Sequence, residues 1–388
     1  MSPIGANPLE QDIRQAVREL CRRFPGAYWR DLDRQKAYPE AFVRAMTEAG
    51  WLSILIPEEY GGGGLGLTAA AAVLEEVHRS GGNAAACHAQ MYIMGALLRH
   101  GSPQQKAKYL PAIARGELRL QAFGVTEPDA GSDTTRISTR AERHGDHYLI
   151  TGQKIFTSRA EHSDLLLLLA RTAPYDPSQR GKGLSLFLVD LRQAKGRGLA
   201  IQPLETMINH ATTQLFFDHL AVPAENLIGQ EGLGFRYILD GMNAERILIA
   251  AESIGDGRWF IDRAARYATD RVVFGRPIGA NQGVQFPLAA AYAQIEAANL
   301  MCQKAAHLFD TGQPCGPEAN MAKLLASEAA WAAANACLDT HGGYGFATEF
   351  DIERKFRETR LYKIAPVNNN LILAYLAHKV LGMPRSYE

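Results

Sequence analysis

The sequence predicts a mainly α-helical protein with an antiparallel β domain at its centre. Three observations predict it. Apolar residues recur at three- and four-residue spacing over 9–23, 39–49 and 68–79, the period of helices with one buried face. From about residue 121 to 229 the texture changes to short β-rich runs separated by Gly, Pro and Asp. From Phe235 onward, long Ala-rich amphipathic stretches return. Strands and helices do not alternate, which argues against a parallel βαβ sheet and a Rossmann domain.

The expected domains are a helical one over 1–121, a β domain over 122–229 and a C-terminal four-helix bundle over 230–388. In the first, Thr68 is the expected N-cap of its helix, with Glu75 and Glu76 further along. The run Gly61-Gly62-Gly63-Gly64 breaks the pattern, because four glycines favour irregular backbone. No strand precedes it, so a dinucleotide-binding loop is a weak reading. In the second, strands are expected at 147–151, 164–170, 184–190 and 214–217. In the third, helices are expected at 235–269, 281–309, 316–340 and 367–381, lengths that suit an antiparallel bundle.

Composition narrows the function classes. A chain of 388 residues is too long for one compact core. Its 47% hydrophobic and 21% charged residues are those of an ordinary globular protein. Lys plus Arg equals Asp plus Glu at 41 each, so net charge gives no case for nucleic-acid binding. No run of about 18 apolar residues occurs, so no membrane span is expected. Residues 1–10 carry neither a secretory nor a transit pattern, so a cytoplasmic protein is expected. Cys21, Cys87, Cys302, Cys315 and Cys337 are scattered and form no CxxC pair. They read as buried free thiols, with no metal site and no disulfide frame.

Four segments carry the chemistry. The first is Phe123-Gly124-Val125-Thr126-Glu127-Pro128-Asp129-Ala130-Gly131-Ser132-Asp133, a polar loop that can offer backbone N–H groups and hydroxyls. The second is Lys154-Ile155-Phe156-Thr157-Ser158. The third is Arg271-Val272-Val273-Phe274-Gly275, followed by Gln282. The fourth is His341-Gly342-Gly343-Tyr344-Gly345-Phe346. Alone, the first reads as a loop and Phe156 as core. Together they resemble the acyl-CoA dehydrogenase family, over nearly the whole chain and in the same helix–sheet–helix order.

The resemblance implies an FAD enzyme acting on an acyl-CoA, working as a homotetramer and handing electrons to an electron-transfer flavoprotein. It implies no nucleic-acid or membrane partner. Phe123, Val125 and Thr126 would lie at the flavin, the last two against the isoalloxazine ring, and Ser132 near the CoA. Phe156 stands where the family usually has Trp, and Ser158 where it has Thr. Both keep the physical part, an aromatic face and a hydroxyl donor. Arg271, Phe274 and Gln282 would serve the FAD of a neighbouring subunit, an arginine fork suiting a diphosphate. Gly342 and Gly343 would allow close approach of its ADP part. Asp339 stands where many relatives carry Gln, and a carboxylate near a diphosphate is unfavourable.

The catalytic base is the sharpest question. Many family members carry a Glu near the C-terminus, but the matching residue here is Pro366, which accepts no proton and offers no N–H. A smaller group, resembling isovaleryl-CoA and long-chain dehydrogenases, carries the Glu on a bundle helix directly before an Arg. This chain reads Met242-Asn243-Ala244-Glu245-Arg246-Ile247 there. Glu245 is therefore the expected base, with Asn243 and Arg246 as substrate-binding neighbours. Burial against flavin and acyl chain should raise its pKa. Two competing carboxylates fare worse. Glu252 lies about 10 Å further along the helix at 1.5 Å per residue, and Glu358 should pair with Arg354 or Arg360. Met91, Met94 and Met207 are candidates to line the acyl pocket. A flavin monooxygenase or oxidase on the same fold is the alternative reading, and a non-catalytic acyl-CoA or flavin binder a weaker one.

Overall fold

A computed structural model describes residues 8–386. Residues 1–7, most of the segment read above as lacking a targeting signal, lie outside the described residues. The chain opens with helices α1 (Pro8–Cys21), α2 (Gly26–Gln35), α3 (Glu40–Glu48), α4 (Leu67–Arg79), α5 (Ala85–His100) and α6 (Pro103–Ala114). Strands β1 (Leu120–Gly124), β2 (Arg140–His144), β3 (His147–Ser158), β4 (Leu165–Arg171) and β5 (Leu184–Asp190) follow. A single helical turn, α7 (Leu191–Ala194), precedes β6 (Leu199–Pro203), β7 (Thr212–Pro223) and β8 (Leu227–Ile228). The long helix α8 (Gly234–Asp270) leads into a small hairpin, β9 (Val272–Val273) and β10 (Arg276–Pro277). Helices α9 (Gln282–Asp310), α10 (Gly316–His341), α11 (Ile352–Arg360) and α12 (Asn369–Tyr375) complete it. The succession is the expected helix, sheet, helix. Among the described residues no helix is long and apolar enough to cross a membrane.

The chain divides into two compact units. One comprises Lys36–Leu65 and Ala85–Met242. Its sheet runs in the order β6-β7-β3-β2-β4-β5-β8, with β1 added to β4. Most pairings are antiparallel; β1 with β4, and a single pair of β2 with β4, are parallel. Strands β4 and β5 read as nearly unbroken apolar runs because both their faces are covered. Leu165, Leu167, Leu169, Leu184, Leu186 and Leu188 join the core made with α5 and α6. Leu166, Leu168, Phe187 and Val189 turn the other way, onto Tyr148, Ile150, Leu215 and Phe217 of β3 and β7. Gly62 is needed for close packing rather than for a ligand: a Cβ there would stand 2.1 Å from the Ile56 carbonyl oxygen.

The other unit comprises Met1–Gln35, Gly66–Ala84 and Asn243–Glu388. Helices α9 and α10 pack along alanines, with Ala291, Ala298 and Ala305 buried on one and Ala322, Ala326 and Ala333 on the other. Small side chains let the two backbones approach closely. Glu75 of α4 is buried between Arg14, 2.8 Å away, and Arg258 of α8. All five cysteines are buried and free.

Two details depart from the sequence reading. Helix α4 begins at Leu67 with Gly66 as N-cap, so Thr68 lies inside the first turn. The cap is supplied from afar: the Asp310 carboxylate, at the end of α9, accepts from Leu67 N at 2.6 Å, Thr68 N at 3.0 Å and Thr68 Oγ1 at 2.6 Å. It satisfies N-terminal amides that helical geometry leaves without partners, and its charge suits the positive end of the helix dipole. The last expected helix, 367–381, is broken up: α12 starts after the cap Asn368 and passes into a wider π turn over Leu376–Val380. Asp310→Ala should lower the unfolding free energy by about 1 to 2 kcal/mol, the usual cost of a lost cap. Chemical denaturation would check this, and Thr68→Val should cost less because the two amides keep their acceptor.

Candidate active site

In the sheet-containing unit the first motif is held from below by a buried ion pair. Lys154 on β3 has no exposed surface, and its ammonium donates to Glu127 Oε1 at 2.8 Å and to the Val125 carbonyl at 3.0 Å. Glu127 also accepts from Ser138 N at 2.6 Å and Thr139 N at 2.9 Å. Burial alone would raise the Glu127 pKa, but the Lys154 charge and these hydrogen bonds outweigh it and pull it down to about 2. Burial pushes Lys154 down to about 8 against the pull of Glu127. Ile155 N donates to Thr126 O at 2.9 Å, so the two motifs are stitched directly together. Val125 and Thr126 remain half-buried, Phe123 is half-buried against Tyr92, and Ser132 is exposed.

Phe156 sits where the β3–β7 register slips, between Lys154 and Thr157. Its φ is +57°, a left-handed conformation rare for a bulky residue. The bulge throws the ring outward, and it is 60% exposed. Ser158, half-buried, returns to register opposite Thr212. A strained backbone that exposes an aromatic face beside a hydroxyl is a device for presenting a flat wall. The expected methionine lining fares differently: Met94 belongs to the apolar core, Met91 is buried on α5, and only Met207 is exposed.

In the other unit Glu245 is buried on α8 at 5% exposure. Arg246 is half-buried and donates from Nη1 to Asn243 Oδ1 at 3.2 Å. Burial lowers its pKa from the usual arginine value, opposed by the charge of Glu245 and by Tyr375 and Cys315. The residues around Pro366 are tied to α10. Lys323 donates to Val367 O at 2.8 Å and Asn369 Oδ1 at 2.7 Å, and Asn369 donates to Glu328 at 2.7 Å. Glu252 is buried 3.8 Å from His78, and Glu358 is paired with Arg354 at 2.9 Å and Lys355 at 3.2 Å. Both competing carboxylates are thus committed to the interior.

The third and fourth motifs lie together in this unit. Arg271 follows α8, and its guanidinium stands 6.0 Å over the Tyr344 ring. Among the described residues no carboxylate lies within ion-pair distance of it. Phe274, at the tip of the β9–β10 hairpin, is fully exposed with φ +50°, and Gln282 opens α9 in solvent. Gly342 has φ +55°, and a Cβ on Gly342 or Gly343 would meet nothing within 4 Å. Asp339 is exposed one turn before them. Sequence reasoning missed the roles of Glu127, Lys154 and Lys323. A lysine among apolar residues of a strand or an Ala-rich helix was the available signal, since lysines are almost never buried without a partner.

Models of the acyl-CoA dehydrogenase N-terminal, middle and C-terminal domains match residues 7–117, 122–220 and 232–380 in that order. Glutaryl-CoA dehydrogenase of Desulfococcus multivorans is 36% identical over 386 residues, 97% of each chain. Acyl-CoA dehydrogenase FadE12 of Mycobacterium tuberculosis is 34% identical over 380 residues, again 97% of each. A solved glutaryl-coenzyme A dehydrogenase complex with glutaryl-CoA has a TM-score of 0.91 at 33% identity, covering 100% of this chain and 98% of that one. Butyryl-CoA dehydrogenase from Megasphaera elsdenii has a TM-score of 0.90 at 27% identity, covering 98% and 100%. With all three domains matched in sequence order and relatives this similar along their whole length, the chain belongs to the acyl-CoA dehydrogenase family, whose members are FAD-dependent enzymes.

Proposed function

We propose that the protein oxidises the Cα–Cβ bond of an acyl-CoA thioester to the trans-2-enoyl-CoA, with Glu245 as base. The observation that carries this reading is the pairing of a buried Glu245, directly before Arg246, with a proline at the position of the other subgroup's base. Glu252 and Glu358, the two competing carboxylates, are engaged in buried polar clusters.

The residues present fit FAD. Phe156 offers an exposed aromatic wall, Thr126 and Ser158 offer hydroxyls, Arg271 a guanidinium with no carboxylate partner, and Gly342-Gly343 open backbone. When bound, FAD supplies the acceptor for the hydride that leaves the β-carbon. Glu245 takes the α-proton. Its carboxylate is buried on α8 directly before Arg246. Arg246 keeps one positive charge beside it and helps hold the anionic, CoA-bearing substrate. Donors near the Pro366–Val367 turn would have to stabilise the thioester oxygen, since Pro366 has no N–H. Lys154 and Glu127 keep Val125 and Thr126 in place. The electrons then pass to an electron-transfer flavoprotein. A solved chain from work on the electron transferring flavoprotein of Acidaminococcus fermentans, with a TM-score of 0.91 at 30% identity, supports this acceptor.

We further propose a homotetramer. Val272, Val273 and Phe274 expose apolar surface on a hairpin beside Arg271, which favours a second copy as partner. Each Arg271 would then serve a neighbour's FAD.

Glu245→Gln keeps side-chain size but removes the base. It should retain FAD and acyl-CoA binding, while anaerobic flavin reduction by substrate slows about a hundredfold or more. A parental rate would move the base elsewhere. Arg271→Ala should weaken FAD retention by about 1.5–3 kcal/mol through a lost charge-assisted contact. Dialysis against apo-conditions would read this, and a monomer that holds FAD tightly at high dilution contradicts the shared site.

A further inference from the structure

Lys323 stands out among the buried charges. It lies on α10 with no exposed surface, and its two hydrogen-bond partners are uncharged oxygens, Val367 O at 2.8 Å and Asn369 Oδ1 at 2.7 Å. Among the described residues no carboxylate lies within ion-pair distance. An ammonium removed from water normally takes a carboxylate or loses its proton. Here the surroundings are more positive than negative. Arg246 of α8 and Lys363 of the turn after α11 both disfavour its charge, and only Glu328 of α10 favours it. Glu328 is itself shared between Lys363 Nζ at 2.7 Å and Asn369 Nδ2 at 2.7 Å. Asn369 Nδ2 reaches Ser327 Oγ as well, at 3.1 Å. Burial above all, then Arg246, brings the Lys323 pKa down to about 7.

The two groups that Lys323 grips lie just after Pro366, and the cation that opposes its charge most, Arg246, adjoins Glu245 in sequence. We propose that Lys323 is a positioning residue whose ammonium holds the Val367–Asn369 turn in its substrate-binding form and releases it on losing its proton. The inference rests on the dehydrogenase reading given above, with Glu245 as base and the turn near the thioester. A neutral amine still donates hydrogen bonds, but bonds from a charged donor are roughly twice as strong. Binding of the anionic enolate-like species favours the charged form, so the turn is best formed below the Lys323 pKa. The sign follows: flavin reduction falls with rising pH as Lys323 deprotonates.

Anaerobic flavin reduction by the straight-chain acyl-CoA that works fastest on the parent holoenzyme tests this across about pH 5.5 to 9. The FAD content and thermal midpoint of each variant are measured alongside. In the parent the rate should fall about tenfold towards alkaline pH, beginning near neutrality. Lys323→Arg, charged at every pH in that range, should keep the plateau and lose the alkaline limb. Lys323→Met should reduce slowly at every pH, with FAD content unchanged and no alkaline limb. A lysine that merely supports the fold would lower the rate and leave the alkaline limb where it was. A flat alkaline side in the parent overturns the inference, even if neither variant folds. An alkaline limb that persists unmoved in Lys323→Arg or Lys323→Met overturns it too. A parent that holds FAD but is reduced by no acyl-CoA overturns the dehydrogenase reading itself, and the inference with it.

Discussion

An ammonium taken out of water must be met by oxygen, and this protein does so three times at zero exposure, with Lys154, Lys323 and Lys355. Each donates to a backbone carbonyl in a loop: Val125, Val367 and Gly82, at 3.0, 2.8 and 3.0 Å. The constraint works in both directions. The loop saturates the charge, and the charge fixes the loop where regular secondary structure cannot. For Lys154 and Lys355 a carboxylate completes the balance, Glu127 for one and Asp256 with Glu358 for the other. Lys323 has only neutral acceptors, and burial, reinforced by Arg246, brings its pKa down to about 7.

The cluster around Lys355 shows how far such a balance extends. Ala84 N donates to His78 Nε2 at 3.0 Å, so His78 carries its proton on Nδ1 and donates to Asp256 Oδ1 at 2.8 Å. Thr359 Oγ1 donates to the second oxygen of Asp256. Burial alone would raise the Asp256 pKa, but Lys355 and His78 pull it down to about 2. Arg354 meanwhile donates to Gly81 O and Glu358. One carboxylate of α8 therefore binds the end of α4 to α11, immediately ahead of the Pro366 turn. Removing one partner of such a group strands the others in a dry interior, which costs about 3–5 kcal/mol in comparable buried pairs. The arrangement favours a single packing over a soft one.

Much of this was legible in the sequence. The apolar runs 165–170 and 184–189 announce strands, the three- and four-residue spacings announce the helices, and four short motifs point to the family; that β4 and β5 are covered on both faces is seen only in the fold. What stayed hidden depends on partners far apart along the chain. Asp310 caps a helix that starts 243 residues earlier. Lys154 meets Glu127 across 27 residues, and Lys323 meets Val367 across 44. No local period encodes such pairs. The left-handed Phe156 was hidden for a different reason: nothing in Lys154-Ile155-Phe156-Thr157-Ser158 signals a bulge, since no glycine or asparagine marks it. Local capping signals were an uneven guide: Thr68 lies inside its helix with Gly66 as N-cap, whereas Ser102 with Gln105, not read as a cap from the sequence, closes a capping box at the start of α6.

A base on α8, as proposed, would change what the C-terminal turn has to do. A loop that carries a catalytic carboxylate must hold a backbone and a reactive side chain together. With the proposed base Glu245 on a 37-residue helix, the proton-transfer group would ride on the more rigid element, where a side chain can be held most closely. The turn is then free to lose both its acid and, at Pro366, an amide hydrogen. Its remaining task is to keep a fixed shape. That shape comes from outside the turn, through Lys323, which holds Val367 and Asn369, and through Ser327 and Glu328, which hold Asn369. A proline suits a segment whose geometry is imposed by its neighbours, because it restricts the backbone at the cost of a donor that the proposed chemistry must then find elsewhere.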